Sequence, residues 1–89
     1  MKREEQVAAM RERKIAYTQV FGVETAANKA VLADLRRFCR ASESTFHADQ
    51  RVHALLEGRR EVVLRIMDFI DLSIDELVAK YGGNHALGK

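Results

Sequence analysis

Four side chains lie close enough along the chain to suggest a metal site: His47, Asp49, His53 and Glu57. His53 and Glu57 are four residues apart, which on a helix places them on one side, and Asp49 stands one turn earlier. A helical zinc site normally offers two histidines at that spacing or paired cysteines, and the chain has neither. The pattern therefore predicts solvent-facing polar residues and no metal ligand. Glu57 or Glu61 is available for acid–base work, yet nothing in the sequence singles either out. No glycine-flanked serine elbow and no cysteine–histidine pattern provides a nucleophile. We expect no catalytic residue, no cofactor and no enzymatic activity.

Cationic chemistry is better represented. Arg36, Arg37, Arg40, Arg51, Arg60 and Arg65 are candidates for a basic surface. Glu57, Glu61 and Asp68 interleave with them at spacings of three and four, which favours pairing along the helix and a solvated, salt-bridged face. Only Asp34 accompanies Arg36, Arg37 and Arg40 closely. Phosphate binding by Arg36, Arg37, Arg40 and Arg60 is therefore the alternative. The break after Arg40 is too long for a helix-turn-helix.

Arg59 is a separate case. At 100° per residue, Val52, Leu55, Leu56, Val63, Ile66, Met67 and Ile70 share one face of a helix over 49–70. Arg59 falls near the middle of that face, with Gly58 beside it. A guanidinium set among apolar side chains is costly unless paired. Asp34, at the edge of the preceding helix's apolar face, is the expected structural partner. An anionic ligand or a partner chain's carboxylate is the alternative. Gly58 is expected to let a neighbouring backbone approach, at a helix cost of roughly 1 kcal/mol relative to Ala.

The elements that must position these groups are all helices. The chain has 89 residues, 47% hydrophobic and 31% charged, no proline and a net charge of +2. That composition suits one small helical domain over 1–89 and does not by itself demand a nucleic-acid partner. The periodicity predicts an all-α bundle: main helices at about 3–21, 24–40 and 49–70, then a short fourth at 74–81. Val7, Met10, Lys14, Tyr17 and Phe21 form a narrow seam on the first helix, which is otherwise charged. The seam either crosses the domain or pairs with another copy, and Val7, Met10 and Tyr17 are the candidate contact residues. Residues 1–16 read as a charged amino-terminal extension of the domain and 82–89 as a flexible tail. Small hydroxylated residues over 41–48 mark a loop whose one large apolar side chain, Phe46, is expected to plug the gap between the second and third helices. Asp49 is the expected N-cap of the third helix, and Ser73 with Glu76 matches a capping box.

Cys39 is the lone cysteine and shares a helix side with Leu32 and Leu35, which predicts a buried, inert thiol. The amino terminus has no apolar leader, and no run is long enough to span a bilayer. We therefore expect no membrane partner.

Three strings carry a family resemblance: VLADLRRFCR at 31–40, STF at 44–46 and EGRREVVLRIMDFI at 57–70. Together they resemble a family of small tailed-bacteriophage proteins, over roughly residues 17–72. The resemblance implies a phage setting, genes near those for virion structure or packaging, and a virion or assembly role in the particle or host cytoplasm. It implies no catalytic residue. The resulting expectation is a non-enzymatic phage protein that contacts protein, either its own copies or another phage or host protein. Nucleic-acid association through the arginines, or inhibition of a host enzyme, are the alternatives.

Overall fold

Two local signals punctuate the second half of the chain as the sequence predicts. Asp49 Oδ1 accepts from the backbone N–H of Arg51 at 2.8 Å and of Val52 at 3.4 Å, starting one helix. Ser73 and Glu76 form a reciprocal capping box that starts the last one. Both supply acceptors to N–H groups that have no partner in a first turn.

The computed structural model describes residues 2–82, and among these every regular element is helical. Helix α1 spans Arg3–Tyr17 and runs on through a π-helical turn, Thr18–Gly22. Helix α2 spans Ala26–Phe38, α3 spans Gln50–Asp71 and α4 spans Ile74–Tyr81. The four-helix all-α bundle expected from the periodicity is the one observed. Helix α2 begins two residues later than its pattern suggested, because Thr25 Oγ1 accepts from Asn28 N–H at 3.1 Å and caps it there. Of the predicted tail, only Gly82 lies within the described residues.

Helix α2 ends in a Schellman motif. Ala41 N–H reaches Arg36 O at 2.9 Å and Arg40 N–H reaches Arg37 O at 3.2 Å. The geometry requires a left-handed residue, and Arg40 takes it at φ 57°. A non-glycine residue there is strained, and here the strain is held by burial of the next residue, Ala41.

The core divides into two clusters. Met10, Phe69, Leu77 and Val78 form one, with Val7, Tyr17, Leu72, Ile74 and Tyr81 packed against them. Cys39, Ala41 and Val63 form the other, with Leu35 and Met67 alongside. The Cys39 thiol is buried and free, as expected.

The α1 seam belongs to the first cluster, which corrects its assignment as a contact surface. Met10 is 3% exposed, Val7 is half-buried, and Tyr17 stacks on Phe69 with ring centroids 4.5 Å apart. The seam finds its apolar partner in α3 and α4 of the same chain. Lys14, within the seam, is also engaged inside the molecule, where its Nζ donates to Phe69 O and Ile70 O, both at 3.0 Å. Those carbonyls are in the last turn of α3, where no helical N–H follows.

The bundle is thin, measuring 44 × 37 × 15 Å along its principal axes. Helix α2 touches the remainder mainly through the π-helical turn and its own last turn.

Candidate protein interface

Because α2 is only partly covered, much of its apolar side faces outward. Val31 and Phe38 are half-exposed, at 52% and 58%. Asp34 lies between them, one turn from each, and is itself exposed. On α3 the sequence Leu55, Arg59, Val62 makes an equivalent stripe, with Leu55 and Val62 exposed and Arg59 half-buried. The two stripes meet where the Arg59 guanidinium lies over the Phe38 ring, 4.8 Å from its centroid. Val62 continues the surface into a groove shared with Tyr17, Val20, Phe21 and Ile66. The result is one apolar face with an arginine at its centre and a carboxylate at its margin.

This geometry corrects two structural expectations. Asp34 does not pair with Arg59; its nearest cation is Arg37, at 3.9 Å, and both side chains are exposed. Among the described residues Arg59 makes no salt bridge, and the Phe38 ring accounts for its position instead. Gly58 admits no close neighbour either, since a Cβ built on it meets nothing within 4 Å. It faces open space on α3.

The loop between α2 and α3 departs from expectation at Phe46, which is 75% exposed and leans on His53 rather than filling a gap. The buried residue of that loop is its neighbour Thr45, at 3% exposure. The Thr45 hydroxyl donates to Glu57 Oε1, and His53, protonated at Nδ1, donates to Thr45 O at 3.1 Å. His47 Nδ1 accepts from Asp49 N–H at 3.0 Å. Glu57 and His53 thus tie Thr45 to α3, Asp49 caps α3, and His47 bonds within the loop. No group of three or more potential metal ligands gathers among the described residues.

The candidate arginines line more than one groove. Arg36 and Arg37 line a shallow groove with Ser42 and Glu43. Arg40 turns to Ser44 O, at 3.3 Å. Arg60 lines a different groove between α3 and α4, and among the described residues its buried Nε has no hydrogen-bond partner. The side chain is half-buried rather than fully solvated.

The α3–α4 junction holds a cluster that the sequence pattern does not announce. Asp68 Oδ2 accepts from Lys80 Nζ and from Tyr81 Oη, each at 2.6 Å. Arg65 lies over the Tyr81 ring at 4.6 Å and the Phe69 ring at 5.2 Å. Burial alone would raise the Asp68 carboxyl, but the Lys80 and Tyr81 hydrogen bonds and the Lys80 charge outweigh it and lower its pKa. Burial and the bond to Asp68 push the Tyr81 phenol up to about 12. Asp68 could have been suspected from its place inside the apolar run Ile66 to Ile70. Lys80 and Tyr81 carry no such mark, because what brings them there is the turn at Leu72 and Ser73.

A family model described as Bbp19-like phage protein matches residues 17–81. Neither the curated proteins nor the solved structures yield a match to the chain.

Proposed function

The chain belongs to the Bbp19-like phage protein family, and from that premise we propose that it is a non-enzymatic phage protein acting through protein–protein contact in virion structure or assembly. The observation that carries the reading is the open face of α2 and α3, built around Phe38 and Arg59. Among the described residues nine large apolar side chains are exposed, and four of them, Val31, Phe38, Leu55 and Val62, gather on this face. Exposed apolar residues gathered on one face mark a contact surface, whereas scattered ones carry no such meaning. An aromatic ring and an arginine at the centre of such a face are typical of residues that dominate binding energy. With Val7, Met10 and Tyr17 committed to the core, contact passes from the first helix to this face. No helix among the described residues is long and apolar enough to cross a membrane.

The test is a phage carrying Val62→Asp. We expect the protein in purified particles or assembly intermediates by mass spectrometry, and a reduced particle yield from the variant although its purified protein melts normally. Full yield from a well-folded variant would remove the face from function.

A second reading, phosphate binding, is favoured by the groove that Arg36 and Arg37 share, although Glu43 lines it too. Mobility shifts on DNA and RNA across a salt series test it, and no binding at low salt removes it.

A further inference from the structure

We propose that the open α2–α3 face is covered by a second copy of the same chain, with Asp34 of each copy paired to Arg59 of the other. The proposal rests on the reading of this face as a contact surface and names its occupant.

Two stripes of the chain are complementary to one another. On α2, Val31, Asp34 and Phe38 place a carboxylate between two exposed apolar side chains. On α3, Leu55, Arg59 and Val62 place a guanidinium between two exposed apolar side chains. Both stripes run from residue i to i+7, so each covers two helical turns, about 10 Å of rise. An acid–apolar stripe laid on a base–apolar stripe of equal length matches charge with charge and apolar with apolar.

Within one chain the match is not made. Asp34 reaches only Arg37, at 3.9 Å and in the open, an arrangement that contributes little and is readily given up. Arg59 rests on Phe38 and forms no salt bridge among the described residues. A guanidinium has five N–H donors in a planar fork, so one resting over a ring still has N–H groups to offer a carboxylate. A two-fold axis brings the stripes together twice, because an isologous contact that places one copy's α2 on its partner's α3 also does the reverse. Each copy thereby supplies what the other lacks, and no second kind of protein is needed to satisfy both stripes.

Charge exchange in the full chain tests the pairing, with mass measured by light scattering or sedimentation. We expect wild type to form dimers, and Asp34→Arg alone and Arg59→Asp alone to weaken dimerisation at least about tenfold. The decisive measurement mixes the two single variants. One copy then carries two arginines at these positions and the other two aspartates, so both cross-pairs are restored and a heterodimer forms. A pair made within each chain would gain nothing from mixing. A wild type that stays monomeric at its highest soluble concentration overturns the proposal, as does a mixture that stays monomeric or a dimer indifferent to both substitutions. A monomeric wild type combined with a particle defect in Val62→Asp would keep the contact face and assign it to a different protein. Full particle yield from Val62→Asp would instead count against the contact reading itself.

Discussion

Thr45 is the residue through which the loop and α3 hold one another. Its buried hydroxyl donates to Glu57 while its carbonyl accepts from the His53 ring N–H, so one position closes two links. Thr45→Val keeps the shape and removes the donor, and should cost about 1 kcal/mol in urea unfolding. A variant as stable as wild type would show that the loop is held otherwise. Asp68 governs the acid side. Its folded carboxyl titrates below its ordinary value, so its contribution is complete above the unfolded pKa of about 4 and is lost as pH falls through the folded value. The urea midpoint of wild type should therefore drop more between pH 5 and pH 3, roughly the window set by that pKa, than the midpoint of Asp68→Asn. Tyr81 acts in the opposite sense. Its raised pKa stabilises the fold below about 10 and the benefit fades as pH climbs toward 12. Side chains that act on their own backbone neighbours, Asp49 and Ser73, were legible because a cap is decided within one turn. Arg59 was legible only in part: a helical wheel gives the direction of a side chain and is silent on what stands there.

At the scale of elements, α1 shows how the same limit works for a whole helix. Its seam was visible, but a stripe of Val7, Met10 and Tyr17 fits α3 and α4 of its own chain as well as another copy. What settles the matter is Lys14, which reaches the carbonyl end of α3. Lys14→Met retains most of the apolar stem and leaves Phe69 and Ile70 carbonyls without that donor. It should lower stability by about 1–2 kcal/mol, read as a shift of the thermal midpoint. On α3, Gly58→Ala fills open space and restores helix propensity, so it should raise stability by about 0.5–1 kcal/mol. A loss on that substitution would reinstate the close approach that the sequence suggested. The bundle class was recoverable because helical periodicity survives in each segment. The exposure of α2 was not, since Ala27, Val31, Leu35 and Phe38 read equally well as a covered face.

At the scale of the molecule, a thin bundle with two small clusters has little core to spare. Anything that binds only the folded chain raises its apparent stability by mass action. If a second copy is that ligand, the wild-type melting temperature should climb with protein concentration, and that of Arg59→Asp should not. Parallel behaviour of the two would disconnect stability from the α2–α3 face. The family match begins at residue 17, yet Met10 and Lys14, both before it, close the first cluster. Residues 3–16 are thus part of this chain's folded unit and not an appendage to it.

That closure has a consequence for synthesis. Lys14 contacts a residue 55 positions later, and Arg3 pairs with Asp75, 72 positions away, at 3.1 Å. The first helix leaves the ribosome well before α4 exists. At ordinary rates of translation it waits roughly 3–14 s for its partners. Throughout that interval Met10 and Tyr17 have no Phe69 or Leu77 to cover them, so the nascent chain passes through a stage at which its seam is open to chaperones. Folding of the first cluster waits for α4, while the second, whose Cys39, Ala41 and Val63 are nearer one another in sequence, is free to form earlier.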